Sequence, residues 1–244
     1  MYDKTRYLAA GDRALVVEVG DKIEETANAK IRGLNIAISN SSFPGIVEMV
    51  PTYRSIMVIY DPIKIEFSDL VNKIKSLEGS INEMSIPEAN VIEISTLYDG
   101  EYGPDIQFVA EHNKLSVDEV IDIHTSVEYL IYMLGFTPGF PFLGGMSNKI
   151  ETPRLKNPRA KIPAGSVGIA GKQTGIYPIE SPGGWQIIGR TPVRLYDPER
   201  SEPVLLKAGD YIKFKAINKK EYDSILDAEN KGIYKVNIRP RDRR

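Results

Sequence analysis

The stretch KIPAGSVGIAGKQTGIYPIESPGGWQIIGRTP, Lys161 to Pro192, decides the fold of the second half of the chain. It contains short runs of β-branched and aromatic residues, which are typical of strands, and the runs are separated by glycine and proline. Eleven of the twenty glycines in the chain fall between Met133 and Pro192, so tight turns recur throughout this region. We therefore predict many short strands joined by turns, which is the pattern of a closed β-barrel or a sandwich.

A second glycine-rich stretch, MLGFTPGFPFLGGM, Met133 to Met146, carries no acid, base or nucleophile. Prolines limit backbone freedom and glycines permit close approach, so the loop can hold Phe136, Pro138, Phe140 and Phe142 as a preorganised apolar wall. We predict that this wall is partly exposed on the rim of a groove and lines a small-molecule pocket or a protein interface. If the wall is an exposed contact surface of either kind, Phe140→Ala should leave the midpoint of thermal unfolding almost unchanged. An internal plug of the barrel is the alternative.

The first half shows alternating strand and helix periodicities. RALVVEV, Arg13 to Val19, predicts a strand, and DKIEETANAKIRGLNIAIS predicts a helix that starts at an Asp21/Glu24 capping box. Two further strands, IVEMVP and RSIMVIYD, precede a second helix, FSDLVNKIKSLEG. Followed by VIEISTLY, this order is that of a split β-α-β sandwich.

The polar segment NEMSIPEAN marks the predicted domain boundary, between residues 82 and 92. We predict an α+β chain with one domain at 1–88 and a second at 89–244. Early in the second domain, LSVDEVIDIH predicts a short helix with a Ser116/Glu119 capping box.

Composition excludes several classes of function. The formal net charge is −2, which argues against nucleic acid or a membrane surface as the partner. No cysteine is present and there are two histidines, so we expect no disulfide, no thiol nucleophile and no metal site. No apolar run is long enough to span a bilayer and no signal-peptide core is visible, so a soluble cytoplasmic protein is the default expectation.

The segment GIAGKQTG suggests a phosphate-binding loop, but Gln173 stands where a magnesium-binding hydroxyl is needed. Prolines follow it instead of an amphipathic helix, so this interpretation is disfavoured. Ser166 and Ser181 lack the G-x-S-x-G elbow of a serine hydrolase, and turn serines are the better interpretation of both.

Several polar or aromatic residues could serve a site, and each has a structural alternative. Trp185 follows two glycines and either lies across a groove or fills the core. Arg154, Arg159 and Arg190 could pair with a carboxylate, although a solvated arginine is the default. His124 closes a helix, where the helix dipole favours it, or stands ready for proton transfer beside the glycine-rich loops.

At these residues the chain resembles a known family. The segments HTSVEYLIYMLGFTPGFPFLGG, PRAKIPAGSVGIAGKQTGIYPIESPGGWQIIGRTP and YDGEYGPD are similar to those of the allophanate hydrolase subunit 1 family. The resemblance covers nearly the whole chain. It implies a ferredoxin-like N-terminal domain followed by a cyclophilin-like β-barrel domain. Members of the family include a subunit of a bacterial ATP-dependent 5-oxoprolinase and KipI, an inhibitor of a sporulation histidine kinase.

The resemblance implies partners as well. They are a companion protein like allophanate hydrolase subunit 2 (PxpC-like), which pairs through a related barrel, and a third, PxpA-like subunit. The complex hydrolyses 5-oxo-L-proline to L-glutamate with ATP as cofactor, and this chain alone is expected to be inactive. A kinase inhibitor that docks on a histidine kinase is the alternative that the sequence leaves open.

A lactam is a poor electrophile, so the reaction needs anion binding and stabilisation of developing charge. We assign the available residues accordingly. His124 is the candidate for proton transfer, and Arg154 and Arg190 are candidates for anion binding. Gln173 and Tyr177 are candidate polar liners of a substrate pocket, with Trp185 as its apolar wall.

Overall fold

The structure, a computed structural model, describes residues 1–79 and 87–242 of the chain. The chain divides into two compact units, Met1–Glu88 and Ala89–Arg244, and each unit mixes helices with sheets. Much of the predicted boundary segment NEMSIPEAN lies outside the described residues. In the described ranges, no helix combines the length and the apolar character that a membrane crossing requires.

Over residues 1–79, the first unit contains a four-stranded antiparallel sheet and two helices. Its elements are β1 (Arg6–Ala9), β2 (Ala14–Glu18), α1 (Glu25–Asn40), β3 (Ile46–Pro51), β4 (Ser55–Tyr60) and α2 (Phe67–Glu78). The strand order is β1-β2-β4-β3. Because β4 lies between β2 and β3, α1 connects two strands that are not neighbours, which is a split β-α-β arrangement.

The strand predicted at VIEISTLY lies in the second unit, so its assignment to the first sheet is wrong. The strand next to β2 is instead β1, which pairs with β2 along its whole length, from Arg6 opposite Glu18 to Ala9 opposite Leu15. A turn closed by the Ala10 N–H and the Ala14 carbonyl, 2.9 Å apart, joins the two strands. A local hairpin thus occupies the sheet edge that the prediction gave to a distant strand.

Helix α1 begins later than predicted. Its N-cap is Glu24, which makes no side-chain capping hydrogen bond, and the backbone there is still extended (φ −133°, ψ 144°). The predicted Asp21 cap is therefore wrong, and Ile23 lies before the helix with 55% of its surface exposed. The rest of the predicted apolar face is buried: Ala27, Ile31, Leu34 and Ile38.

The described part of the second unit contains three α-helices, two short 3₁₀ helices (Gly100–Tyr102 and Asn148–Ile150) and ten strands. The α-helices are α3 (Ile106–Asn113), α4 (Val117–Ser126) and α5 (Lys219–Asn230). The strands are β5 (Asn90–Thr96), β6 (Glu128–Leu134), β7 (Pro141–Gly144), β8 (Arg159–Ile162), β9 (Ser166–Ala170), β10 (Gln173–Ile176), β11 (Ser181–Gly183), β12 (Gln186–Arg190), β13 (Tyr211–Ala216) and β14 (Ile238–Pro240). The Ser116/Glu119 capping box predicted for α4 is confirmed, with both reciprocal hydrogen bonds present.

These strands form three sheets, with orders β14-β5-β13-β6-β7, β10-β9-β12 and β11-β8. Within residues 87–242 the hydrogen-bonded ladders do not join into one closed barrel, so the predicted closure is not found. Register shifts interrupt β6, β11 and β12, and such bulges end regular pairing locally. An isolated bridge between Leu97 and Arg190 connects the end of β5 to β12.

Candidate functional site

The loop between β6 and β7 is a tightly folded turn that presents one aromatic ring to solvent. Its backbone closes on itself: Gly135 N–H donates to the Phe140 carbonyl (3.1 Å) and Phe140 N–H donates to the Thr137 carbonyl (3.1 Å). Phe136 has a φ of +66°, a conformation that costs a non-glycine residue about 1–2 kcal/mol. The ring of Phe136 is 74% exposed. The fold thus holds this ring outward in a strained backbone conformation.

Phe140 is the centre of an aromatic cluster. Its ring centroid lies 5.3 Å from that of Phe142, 5.7 Å from those of Tyr177 and Trp185, and 5.8 Å from that of Phe136. All four contacts are edge-to-face, the arrangement that aromatic pairs favour. Phe140 itself is 3% exposed. The predicted rim position is therefore wrong for Phe140, which forms the floor of the cluster, and correct for Phe136.

This cluster lines a groove of about 250 Å³. The lining residues share an aromatic or small character and are Phe136, Phe140, Phe142, Arg154, Tyr177, Pro182, Gly183, Gly184 and Trp185. Arg154 is the one charged side chain among them, and it is exposed. A largely apolar pocket with a single polar anchor is the usual form of a small-molecule site.

Trp185 is held over the groove by a charged pair behind it. The Arg159 guanidinium donates two hydrogen bonds to the Asp105 carboxylate, at 2.7 and 2.9 Å. Asp105 also accepts the Ile187 N–H at 2.6 Å, and Arg159 reaches the Trp185 carbonyl at 3.4 Å. The pair therefore fixes the backbone immediately after the tryptophan ring.

Glycines let the chain pack closely around the same ring. A Cβ added to Gly175 would lie 3.1 Å from Trp185 Cζ3, so a side chain there would displace the indole. On the other side, the Leu155 N–H donates to the Gly184 carbonyl at 2.7 Å. That hydrogen bond ties the loop carrying Arg154 to the short connection between β11 and β12 that carries Trp185. Because Leu155 follows Arg154 and Gly184 precedes Trp185, this hydrogen bond keeps the arginine and the tryptophan close to each other.

Tyr177 contributes a neutral hydroxyl to the groove. Burial raises the pKa of Tyr177 to about 12, although Arg154, a hydrogen bond with the Trp185 backbone and Arg159 each lower it. The phenol consequently stays protonated near neutral pH. It can donate or accept a hydrogen bond there, but it cannot act as a base without a large cost.

The structure brings together most of the predicted wall and liner residues in one groove. These are Phe136, Phe140, Phe142, Arg154, Tyr177 and Trp185. Four other predicted site residues do not line it: His124, Pro138, Gln173 and Arg190. Pro138 is exposed in the loop, and Gln173 begins β10 opposite Ala170.

His124 lies in the core, which corrects the prediction that it stands ready beside the glycine-rich loops. It is fully buried, with Nδ1 2.8 Å from Tyr98 Oη and Nε2 2.8 Å from Thr174 Oγ1. Burial lowers the pKa of His124 to about 3, so the ring is neutral. Both ring nitrogens are occupied by neighbouring side chains, and His124 has a structural part in this fold.

Sequence reasoning missed Asp105 and left Arg159 among several equal candidates. The signal available was weak: Asp105 ends the motif YDGEYGPD, and Arg159 follows a proline. The two residues are 54 positions apart, so their ion pair can be recognised only in the folded structure. The segment GIAGKQTG forms the β9–β10 hairpin, with Gly171 at φ +58° in the turn, so the structure gives no phosphate-binding loop there.

Comparison with known proteins places these motifs in a family. Residues 5–206 match the family described as "Carboxyltransferase domain, subdomain C and D". The chain is 44% identical over 230 residues to the 5-oxoprolinase B subunit of Bacillus subtilis (strain 168), a match that covers 90% of this chain and 96% of that protein. It is 39% identical over 211 residues to the 5-oxoprolinase B subunit of Escherichia coli O157:H7, covering 86% and 95%.

A solved structure is also similar. It is the conserved uncharacterized protein PH0987 from Pyrococcus horikoshii, 49% identical, with 89% of this chain and 100% of that chain covered and a TM-score of 0.53. The relatives are matched along almost their whole length, and the family resemblance predicted from the sequence motifs is confirmed. The chain belongs to the carboxyltransferase-domain family, subdomains C and D, together with the 5-oxoprolinase B subunits.

Proposed function

We propose that this protein is a subunit of an ATP-dependent complex that hydrolyses 5-oxo-L-proline to L-glutamate. The observation that carries the proposal is the aromatic groove with Arg154 at its edge. The near full-length similarity to 5-oxoprolinase B subunits supports it. The substrate of those proteins, by their name, is a small lactam, and a lactam ring with one carboxylate suits a groove of this size and composition.

Each part of the groove then has a chemical task. The Trp185 and Phe142 rings provide flat apolar surfaces for the ring of the substrate, while the Arg154 guanidinium pairs with its carboxylate. The neutral Tyr177 hydroxyl offers a hydrogen bond to a lactam oxygen or nitrogen. None of these groups is a nucleophile, so water attacks the lactam carbonyl and activation comes from elsewhere in the complex.

ATP does not fit this groove. A triphosphate needs several cations or a glycine-rich turn at a helix N-terminus, and Arg154 is the single cation among the lining residues. The glycine-rich turn at Gly171 joins two strands and is not followed by a helix. We therefore place ATP binding in another part of the complex.

The same proposal includes a ferredoxin-like first domain and a cyclophilin-like second domain in a cytoplasmic protein. The partners are a subunit-2-like (PxpC-like) protein and a PxpA-like subunit. The split β-α-β sheet and the glycine-rich second unit support the two domain types. The relatives that carry the 5-oxoprolinase name favour the enzyme hypothesis over a histidine kinase inhibitor, so we take the enzyme hypothesis forward.

The test is an assay of 5-oxoproline-dependent glutamate release and ATP hydrolysis with each partner added and omitted. We expect activity with all subunits present and none from this chain alone. Glutamate release by the purified chain alone contradicts the subunit assignment. A complete mixture that releases no glutamate contradicts the substrate assignment.

Arg154 is tested in the active mixture. Arg154→Gln is expected to raise the KM for 5-oxoproline at least about tenfold, the equivalent of losing roughly 1.4 kcal/mol of charge-assisted binding. Lys156→Gln is the matched control, because Lys156 is an exposed cation on the same loop that does not line the groove. Equal KM values for both variants would remove Arg154 from the substrate site.

A further inference from the structure

Arg190, at the C-terminal end of β12, belongs to a different cluster from the aromatic groove. Its guanidinium carbon lies 5.3 Å from the centroid of the Tyr102 ring. The Tyr102 ring in turn lies 4.8 Å from the ring of Tyr222 on α5. The two arginines predicted to bind anions, Arg154 and Arg190, therefore have separate surroundings.

The backbone and the stem of Arg190 are fixed. Its N–H donates to the Leu97 carbonyl and its carbonyl accepts from the Leu97 N–H, both at 2.9 Å. The adjacent Gly165 has a φ of +80°, and a Cβ at that position would lie 3.4 Å from Arg190 Cγ. The same Cβ would lie 2.3 Å from the Thr191 carbonyl oxygen, so glycine is required at this position, and the Arg190 stem packs beside it.

The guanidinium nevertheless lacks an anionic partner. Among the described residues Arg190 forms no ion pair within 4.0 Å, and its buried Nε has no hydrogen-bond acceptor. Ser166 is directly opposite Arg190 on β9, is 0% exposed, and its Oγ also has no partner. Opposed residues on neighbouring strands project to the same face. Two unsatisfied polar groups therefore lie side by side, each at a cost that a shared ligand removes.

The net charge of the groups around Tyr102, which are Arg190, Lys219 and Asp223, is positive. Lys219, in the first turn of α5, lies 5.8 Å from the Tyr102 ring centroid and pairs with Asp223 at 2.5 and 2.6 Å. Burial raises the pKa of Tyr222, while the nearby Arg190 and Lys219 lower it. With Lys219 neutralised by Asp223, the charge of Arg190 is the one left uncompensated in this cluster.

We propose that Arg190 and Ser166 form a second binding site, for a small oxyanion, that is distinct from the aromatic groove. The Nε–H of Arg190 and the hydroxyl of Ser166 donate to the anion, and the Tyr102 ring borders it. A carboxylate and a phosphate both present oxygens that match this pair of donors. Arg190 is half-buried, whereas its Nε and Ser166 Oγ are buried, so the anion has to enter from the exposed side of the guanidinium. Binding at this site does not depend on the proposed function, since it concerns this chain alone.

The test observes the Arg190 Nε–H resonance directly by ¹H–¹⁵N correlation NMR of the whole chain. Arg190→Lys assigns the signal by its disappearance. Sodium phosphate and sodium acetate are added in separate titrations at constant ionic strength with chloride. We expect a saturable shift of this one resonance with at least one of the two anions. The anion that binds more tightly shows whether the site prefers a phosphate or a carboxylate. No shift with either anion overturns the proposal.

Two variants distinguish a specific binding site from nonspecific electrostatic attraction of anions. Ser166→Ala is expected to weaken anion binding about tenfold, the effect of losing one hydrogen bond to a charged group. Arg154→Gln, which changes the groove arginine, is expected to leave the titration unchanged. A shift that survives Ser166→Ala at full strength overturns the proposal. Arg190→Lys keeps the positive charge and the aliphatic stem, so we expect it to fold and to provide the assignment on which the wild-type titration depends.

Discussion

Phe136 and Phe140 are four positions apart in one loop, yet their surroundings are opposite. Phe140 is 3% exposed at the centre of four ring contacts, whereas Phe136 is 74% exposed. We expect Phe140→Ala to lower the free energy of unfolding by about 3–5 kcal/mol, the usual cost of truncating a core phenylalanine. Phe136→Ala is expected to change it by less than about 0.5 kcal/mol, because a solvated ring contributes little to folding.

Urea unfolding of both variants measures these differences. The sequence predicted the opposite for Phe140, since glycine and proline spacing identifies a loop without revealing which ring points inward. Phe136→Ala should instead weaken association with the companion subunit or raise the KM for substrate. If Phe140→Ala unfolds at the wild-type urea concentration, the aromatic floor of the groove does not contribute to stability.

His124 makes stability depend on pH. Its pKa is lowered by burial to about 3 in the folded chain, against about 6.5 for an unperturbed histidine. Between these values the unfolded state binds the additional proton, so stability is complete above about pH 6.5 and is lost as pH falls toward 3. The slope for one proton reaches about 1.4 kcal/mol per pH unit.

Urea unfolding at pH 7.0, 6.0 and 5.0 tests this dependence, because carboxylates with lowered pKa values lose their contribution mainly at lower pH. The variant His124→Gln keeps a polar side chain but removes the titration. We expect it to be less stable than wild type at pH 7 and to show a flatter pH dependence from 7 to 5. Parallel curves for the two proteins would mean that another group is responsible.

At the scale of elements, the two predicted capping boxes give a matched pair. Ser116 and Glu119 form both reciprocal hydrogen bonds at the start of α4, so Ser116→Ala is expected to cost about 1 kcal/mol. Asp21 does not cap α1, which begins at Glu25, so Asp21→Ala is expected to cost almost nothing. Thermal midpoints of the two variants measure the contrast. An equal loss in both would show that Asp21 caps α1 after all.

The helix patterns show how far sequence reasoning reaches. The apolar stripe of α1 and the whole of α2 could be predicted because helical periodicity is a local property. Helix α5 was missed even though Asn218 and Glu221 form a capping box at its start. Its exposed, charged sequence buries few residues, so the periodic apolar signal is absent. The capping pair N-x-x-E was the signal that could have found it.

Strand pairing was harder to predict than helices. Strict alternation along WQIIGRT would place Arg190 on the same face as Gln186 and Ile188, but a register shift between Ile187 and Gly189 breaks the two-residue period. For the same reason the partner of Arg190, Ser166, could not be identified from spacing. Six residues that line the groove were named from the sequence, three of them outside the stretch Met133–Met146, whereas the ion pair between Asp105 and Arg159 that positions Trp185 was missed.

For the molecule as a whole, the two units have separate hydrophobic cores. One core cluster is formed by residues between Leu15 and Ile74, and the main core of the second unit by residues between Ile92 and Phe214. A unit with its own core can fold alone. We therefore expect residues 89–244, expressed without the first unit, to unfold in one cooperative thermal transition.

Strand β5 decides where that fragment has to begin. Residues Asn90–Thr96 pair with β13 along six positions and with β14 on the other side, so β5 lies inside the five-stranded sheet. A fragment of residues 98–244 lacks this strand and leaves the backbone groups of β13 and β14 without partners. We expect it to aggregate or to show no cooperative transition by calorimetry. If both fragments unfold with the same sharp transition, β5 does not belong to the second core. If neither does, the second unit needs the first in order to fold.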